Sequence, residues 1–236
     1  MLKHLEPYIF TEINLNKYYF LLDNKIKNNY NIKKLNKKNN KNINENKENK
    51  FLITEKDKIF WAFYIFLHSY EEYYLINNFF ITEKNYKINC ITKIREEKNK
   101  LKTHKISKNI IENELVNENK ITIKTLNCLA LLYDLNIIYI KKRTITIMNY
   151  SNDKLVDCKN IIEENNNEIY LISLSDLIIQ ELLDTYYIIE NINKPINAIS
   201  YYKLNDLIKI SKKLNLDYID KSKKTLYTEI SNYINF

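Results

Sequence analysis

The chain contains no glycine among its 236 residues, and this absence limits its folds and functions more than any other feature. Phosphate-binding loops of the Walker and Rossmann kinds require glycine, because their backbone approaches the ligand closely and adopts positive φ angles. ATPase, GTPase, kinase and dinucleotide oxidoreductase functions are therefore close to excluded. Where a turn needs a left-handed residue, asparagine must take the place of glycine.

Residue types that often carry catalysis or bind metals are scattered along the chain. The three cysteines, Cys90, Cys128 and Cys158, form no C-x-x-C pair, and the three histidines are equally far apart. Such spacing gives little support to a zinc site or a disulfide framework. Cys90 and Cys128 fall on the apolar faces of predicted helices, where cysteine acts as a small core residue. We predict no cofactor, no metal and no catalytic residue.

The hydrophobic segments are short. The longest apolar run covers residues 59–67, which is nine residues, whereas a transmembrane helix needs about 20. The first ten residues, MLKHLEPYIF, lack the charged-then-apolar layout of a signal peptide. We therefore expect no membrane partner, and a cytoplasmic or nuclear location rather than secretion.

The formal net charge of +8 is concentrated in two segments. Residues 24–50 hold nine lysines against two acids, and residues 200–236 hold seven lysines against four acids. The rest of the chain is slightly acidic. A hypothesis of nucleic-acid binding therefore concerns these two segments and not the middle of the chain. The absence of glycine and the low count of two prolines indicate an AT-biased genome, which would account for part of the lysine and asparagine content.

These patterns divide the chain into four parts. Residues 1–23 are a short apolar segment that we expect to dock on the main body. Residues 24–50 are a basic Asn/Lys linker with too few apolar side chains to fold, so we predict disorder. Residues 51–193 form a central domain. Pro195 marks the start of a carboxy-terminal module, residues 194–236.

The central domain changes its periodicity from helical to alternating. The aromatic run at residues 59–67 predicts a buried helix, whose rings we expect in the core rather than on a base-stacking surface. Residues 137–140 and 144–147 flank a Lys-Lys-Arg turn and predict a β-hairpin. Helices followed by a small antiparallel sheet indicate an α+β fold. Further helices are predicted at residues 82–101, 107–115 and 124–135 and from Ser175, and a further strand at residues 168–173.

The carboxy-terminal module has the pattern of two amphipathic helices joined by a polar turn. The first apolar stripe ends at Leu214, and Asn215 follows where a helix normally takes a glycine C-cap. Ser222 is a candidate N-cap for the second helix. The residues predicted to cross back over the core between the helices are Leu216, Tyr218 and Ile219.

The segment YKLNDLIKISKKLNLDYIDKSKKTLYTEI resembles the SAP and Rho-N-terminal class of helix–extended-turn–helix modules. The matching positions are Leu204, Leu207, Ile210, Leu214, Leu216, Lys223, Leu226 and Ile230. Asn215 replaces the motif glycine. The resemblance implies that the start of the second helix and a lysine bind phosphate, which makes nucleic acid the expected partner, DNA before RNA. The candidate nucleic-acid-binding residues are Lys212, Lys213, Lys221, Ser222, Lys223 and Lys224.

The chain also resembles uncharacterised proteins of nucleocytoplasmic large DNA viruses. The likeness is carried by DKIFWAFY, KINCITKIREEKNKLK, ITIKTLNCLALLYDLNIIYI and IENINKPINAISYYKL. It implies a location in the cytoplasm or nucleus of an infected cell, or in the virion, with viral or host proteins as further partners. We therefore predict a non-enzymatic, nucleic-acid-associated viral protein that binds the DNA or RNA backbone through the carboxy-terminal module and the basic arm at residues 24–50. For the module, the alternatives are a helical hairpin that docks on protein and a structural tail.

A third resemblance suggests a different function. The helix that opens with DKIFWAF, followed by a hydrophobic helix, a hairpin and a strand, is similar to papain-like deubiquitinases of the ovarian-tumour class. Lys58 stands where that family has its catalytic cysteine, and no histidine follows the strand at residues 169–172. The alternative function is thus a catalytically inactive papain-like fold, or a virion scaffold, that acts through protein–protein contacts.

Overall fold

The computed structural model describes residues 50–149 and 160–234. They belong to the larger of two compact units, residues 47–236. The predicted docking segment, Cys158 and all of the predicted linker except Lys50 lie outside the described residues. None of the described helices combines the length and the apolar character needed to cross a bilayer.

Five helices form a layer on one side of a sheet. They are α1 (Lys58–Tyr74), α2 (Phe79–Glu96), α3 (Lys98–Thr103), α4 (Lys108–Asn117) and α5 (Ile123–Leu132). The Asp57 carboxylate caps α1 by accepting a hydrogen bond from the Phe60 N–H at 3.3 Å. Phe60, Trp61 and Phe63 are fully buried, which confirms the predicted aromatic core. The single helix predicted at residues 82–101 is in fact divided between α2 and α3.

The second layer is a six-stranded mixed sheet. Its strands are β1 (Lys50–Leu52), β2 (Ile137–Lys141), β3 (Thr144–Met148), β4 (Asn160–Asn165), β5 (Glu168–Ile172) and β6 (Tyr187–Ile189). Their order across the sheet is β1-β5-β4-β2-β3-β6. The α+β class, the β2–β3 hairpin and the strand at β5 are as predicted.

The sheet is larger and more mixed than the small antiparallel sheet predicted. β2 pairs with β4, and β3 with β6, in parallel. Alternating hydrophobicity identifies a strand but carries no information about its partner, so this part of the prediction is corrected. β1 and β6 were missed because each has three residues, too few for a periodic signal. β4 was missed because four of its six residues, NIIEEN, are polar.

Both faces of the sheet are covered, which explains the unbroken apolar run of β2. Ile137 and Tyr139 join the core under the five-helix layer. Ile138 and Ile140 join a second core, which packs under α6 (Asp176–Thr185) on the opposite face. Strands buried on both sides have continuous hydrophobic sequences. The helix predicted from Ser175 is therefore confirmed as the cover of the second face.

Residues other than glycine occupy the left-handed turn positions. Asn166 and Asn167 form the β4–β5 turn with φ angles of 51° and 63°. Two positive φ angles are the requirement of a type I′ hairpin, and asparagine meets it best after glycine. In the β2–β3 turn Lys142 has a positive φ angle of 52° and Arg143 does not, so a lysine takes the left-handed position there. The expectation that asparagine replaces glycine holds for the β4–β5 turn.

Candidate nucleic-acid interface

The carboxy-terminal module consists of α7 (Leu204–Lys213) and α8 (Lys223–Ile234), preceded by a single 3₁₀ turn at Ile199–Tyr201. Its core is small and aliphatic, with Leu207 and Ile230 fully buried. The two-helix prediction for this segment is confirmed.

The end of α7 is fixed by Asn215, which has a φ angle of 56°. The Asn215 N–H donates to the Lys212 carbonyl at 3.2 Å, and the Leu216 N–H donates to the Ser211 carbonyl at 2.9 Å. These two hydrogen bonds make up a Schellman motif, which normally uses glycine at the left-handed position. The predicted substitution of asparagine for the motif glycine is therefore structurally sound.

The connector between the helices departs from prediction at one residue. Leu216 and Tyr218 pack against the module core, as predicted. Ile219 does not, since 67% of its surface is exposed. Residues 219 and 220 form a turn, in which the Ile219 N–H donates to the Asp217 carboxylate at 3.2 Å, so the extended connector ends before Ile219.

Ser222 caps α8, as predicted. Its hydroxyl oxygen accepts a hydrogen bond from the Thr225 N–H at 3.2 Å. The Leu226 N–H closes the first turn on the Ser222 carbonyl at 3.0 Å. A capping oxygen that binds the third helical N–H satisfies one of the free donors at a helix start. The remaining donors of the first turn face outward at an exposed Ser222 and an exposed Lys224.

The module is attached to the central domain through the β2–β3 turn. Arg143 in that turn donates from Nε to the carbonyl of Lys213, the last residue of α7, at 3.1 Å. Its Nη2 lies 3.4 Å from the carbonyl of Thr185, the last residue of α6. A cation that binds the last carbonyls of helices stabilises their negative ends. Arg143 is therefore a joint between two helix ends, and its guanidinium lies 4.3 Å from the Tyr186 ring centroid.

The same turn also contacts the end of α8. The ammonium of Lys142 lies 5.2 Å from the ring centroid of Tyr233 in the last turn of that helix. The carboxyl ends of α7 and α8 therefore both lie at the β2–β3 turn. The amino end of α8 lies about 18 Å from this contact, which is the length of a twelve-residue helix.

This arrangement divides the candidate residues between the two ends of the module. Lys213 belongs to the end at the β2–β3 turn, and Lys212 is next to it, with its ammonium 5.1 Å from the Tyr218 ring centroid. Ser222, Lys223 and Lys224 belong to the outer end. The candidate residues adjacent in sequence thus form two separate basic surfaces rather than one.

Lys221 has a structural contact that the sequence did not predict. Its ammonium lies 2.9 Å from a Glu229 carboxylate oxygen and 3.3 Å from Asp217. The Glu229 hydrogen bond raises the pKa of Lys221, and the Ile219 N–H followed by Lys221 lowers the pKa of Asp217. Lys221 therefore ties the connector to α8, and its charge is largely compensated within the module.

Lys223 and Lys224 are the available cations of the outer end. They occupy the first turn of α8, which contains no acidic residue. Within the described residues, neither ammonium forms an ion pair or a hydrogen bond. Positive side chains at a helix start oppose the helix dipole, so they do not stabilise α8 itself.

Sequence patterns missed the contribution of Lys142 and Arg143. The Lys-Lys-Arg run is visible in the sequence, but only as a hairpin turn. Its position beside the module depends on the parallel pairing of β3 with β6, which no local pattern reveals. The sequence signal that could have indicated this contact was Arg143, because arginine is the residue best suited to bind two carbonyls at once.

Other candidate chemistry is structural. Burial raises the pKa of Cys90 to about 11 and that of Cys128 to about 12, so both thiols stay protonated in the core. No group of three or more potential ligand side chains in the described ranges is placed to hold a metal ion. Lys58 begins α1, and its ammonium lies 2.5 Å from Glu168 and 3.2 Å from the Asn167 carbonyl at the β4–β5 hairpin.

Comparisons of the chain with protein-family profiles, with curated proteins and with solved structures give no match. The geometry of the described residues is therefore the basis for a functional proposal.

Proposed function

We propose that this protein binds the phosphate backbone of nucleic acid through the outer end of its carboxy-terminal module. Lys223 and Lys224 are the main contacts, and the free N–H groups beside Ser222 assist them. DNA is the first ligand to test and RNA the second. The viral origin and the infected-cell location implied by resemblance stay predictions.

One observation carries this proposal, namely that two uncompensated cations lie at a helix start directed away from the central domain. Lysines there destabilise the helix slightly, so a partner that carries negative charge explains them better than folding does. Backbone N–H groups and lysines at a helix start are also the usual contacts for phosphate. Lys221 supports the site indirectly, because its ion pairs hold the connector against α8.

The test is binding of the full chain to duplex DNA, measured by fluorescence anisotropy at several salt concentrations. The double variant Lys223→Gln/Lys224→Gln should weaken binding and reduce the slope of log affinity against log salt by about one per lysine. Lys221 is left intact, since changing it would also break its contacts with Glu229 and Asp217.

The matched control is Lys98→Gln/Lys102→Gln, two exposed lysines of α3. It removes the same charge and should leave both the affinity and the salt slope unchanged. Equal losses in the two double variants would mean that net charge alone drives binding. No binding of the unaltered chain to either DNA or RNA at low salt would rule out the proposal.

A second candidate function is docking of a protein partner at the β4–β5 hairpin. The placement of Lys58 favours it, because this residue begins the central helix and faces the hairpin, where an ovarian-tumour-class enzyme has its nucleophile. The expected partner class is ubiquitin-like. Titration with ubiquitin should perturb NMR signals of Asn167 and Glu168, and Lys58→Glu should abolish the perturbation. Unchanged spectra at high ubiquitin concentration would exclude this candidate.

A further inference from the structure

The sequence of α1 is typical of one continuous helix. Its apolar residues recur at spacings of four, three, four and three, and they are Ile59, Phe63, Phe66, Tyr70 and Tyr73. This spacing keeps them on one face of a helix. The segment contains no proline and no glycine, the residues that most often kink a helix. The local sequence therefore gives no reason for α1 to bend.

The structure nevertheless breaks α1 at Ser69. This residue has a φ angle of 75° and a ψ angle of 168°, so α1 consists of two helical parts that meet at a kink. Backbone angles of this kind are adopted almost solely by glycine. The chain has no glycine to place there, and serine adopts the conformation with strain. Such strain persists only where surrounding contacts hold it.

The contacts that hold the break are made by residues 70–75, which follow it and which we call the strap. Three tyrosines of the strap surround the Phe51 ring of β1. The distances from the Phe51 centroid are 5.1 Å to Tyr70, 5.8 Å to Tyr73 and 6.2 Å to Tyr74. The Tyr73 hydroxyl also donates to the Glu55 carboxylate, three residues after β1. The strap thus closes over β1.

Polar contacts at the break are local. A hydrogen bond with the Ser69 side chain lowers the pKa of the Glu71 carboxylate. His68 Nδ1 lies 3.0 Å from the Glu72 carboxylate, so this pair crosses the break. The His68 ring stacks on Tyr64 with centroids 4.5 Å apart, and its Nε2 is buried with no hydrogen-bond partner in the part of the chain that the structure describes. The break therefore combines strain with an unsatisfied polar atom.

The strand under the strap is short. Among the described strands, β1 lies at one edge of the sheet and pairs with β5 over three residues. The Ile53 N–H adds one hydrogen bond to the Ile169 carbonyl at 3.0 Å, and Lys50 adds an ion pair with Glu163 at 2.7 Å. A strand with so few backbone hydrogen bonds depends on its side chains to stay in the sheet, and Phe51 is the side chain that the strap holds.

We propose that Ser69 is a hinge and that the strap opens and closes over β1. In the closed form, which the structure shows, the tyrosines hold Phe51 and Ser69 is strained. In the open form α1 is continuous, Ser69 is helical, and β1 can leave the sheet. Strain at Ser69 favours the open form, and the contacts of Phe51 favour the closed one. Opening makes the edge of β5 available to a strand of another chain.

The experiment measures native-state amide hydrogen exchange of the full chain by NMR at several low urea concentrations. The reporter is the Ile53 N–H, which loses its bond to Ile169 when β1 leaves the sheet. Ser69→Gly removes the strain of the closed form and should slow this exchange by about ten-fold. Ser69→Ala keeps the strain, loses the contact with Glu71 and favours the continuous helix, so exchange should be about five-fold faster.

The glycine variant is the decisive one. Glycine within a helix ordinarily loosens it, whereas a hinge held at these angles should close more firmly. A second variant, Tyr70→Ala, removes one ring from Phe51 and should accelerate the Ile53 exchange by about ten-fold. The matched controls are Thr92→Ala, at an exposed position within α2, and Phe80→Ala, whose ring is 71% exposed. Both should leave the Ile53 exchange unchanged.

A reference amide separates strap opening from unfolding of the whole domain. The Leu126 N–H, bonded to the Thr122 carbonyl at 3.0 Å at the start of α5, should exchange more slowly than Ile53 and with a steeper dependence on urea. The same urea dependence at both amides would mean that β1 leaves only on global unfolding, which overturns the proposal. Local exchange at Ile53 that Ser69→Gly does not slow would mean that the strand frays without a hinge, which also overturns it.

Discussion

The central domain and the carboxy-terminal module both contain many lysines, but they use them differently. In the core of the central domain, Lys87 is buried and binds Asp57 at 2.6 Å and Glu83 at 2.8 Å. In the module, Lys221 alone among the described lysines forms an ion pair, and the others lie at the surface. The number of lysines in a segment is therefore a weak guide to function, and their pairing is a stronger one.

The cores of the two regions also differ. The central core is built on packed aromatic rings, with Trp61 and Phe60 fully buried. The module core is aliphatic and includes Ile189 and Ile196, which precede the module's first helix. The module is thus completed by the strand it packs on. A stable domain with a small docked module is a suitable design for presenting one end of a helix to a ligand.

The largest expected effect comes from breaking the buried ion pair of the central domain. Asp57→Ala removes one of the two carboxylate partners of Lys87, the α1 cap and the acceptor of the Ile121 N–H. Removing one member of a buried ion pair costs about 3–5 kcal/mol of unfolding free energy. Urea denaturation measures this loss of unfolding free energy. Lys223→Gln/Lys224→Gln should change the same quantity by less than about 0.5 kcal/mol, and a similar loss in both variants would remove the contrast between the regions.

The next effect is a pH dependence that arises in the central core. Burial raises the pKa of Cys90 from an ordinary 9.0 to about 11. Between these two values the folded chain keeps a proton that the unfolded chain loses, so stability falls as pH rises through the window. The slope is about 1.4 kcal/mol per pH unit for each such thiol. Urea midpoints from pH 8 to pH 10.5 should fall more steeply for the unaltered chain than for Cys90→Ala, and parallel curves would contradict the prediction.

Local sequence signals predicted much of the fold because their causes are local. The apolar run of β2, the alternation of β3, the serine before α6 and the cap of α8 each depend on a few neighbouring residues. Asn215 was predictable for the same reason, since asparagine is the usual substitute for glycine at a left-handed helix end. Lys105 and Asp134 take that position after α3 and α5, which the sequence did not predict. Boundaries such as that between α2 and α3 depend on packing and were not predictable.

The candidate site was only partly predictable because its geometry is non-local. The sequence named Lys212, Lys221 and Lys223 as candidate nucleic-acid-binding residues but did not give their relative positions. In the structure Lys212 lies toward the end of the module at the β2–β3 turn, and Lys221 is ion-paired. Lys223 lies at the outer end and forms no ion pair among the described residues. Distances between elements, such as that from Arg143 to α7, follow from strand pairing across the sheet. No periodicity in a single segment carries that information.

A smaller effect should come from the turn that separates the two helices of the module. Asn215→Val places a β-branched residue at a φ angle of 56°, which costs about 1–2 kcal/mol. Asn215→Gly should be tolerated, because glycine adopts this conformation freely. Amide hydrogen exchange should show faster opening of α7 and α8 in the valine variant and unchanged exchange in α5. Uniform acceleration across the chain would mean that the module and the central domain open together.

The smallest effect concerns the joint between the two regions. Arg143→Ala removes the donors to the Lys213 and Thr185 carbonyls. At a partly exposed site, each hydrogen bond from a charged group contributes at most about 1–3 kcal/mol to the free energy of unfolding. We expect about 1 kcal/mol, because water can replace the guanidinium at these helix ends. Nucleic-acid affinity should stay within about two-fold, since the outer end is about 18 Å from the joint. Loss of affinity equal to that of the Lys223→Gln/Lys224→Gln variant would instead mean that the ligand spans the whole module and reaches the β2–β3 turn.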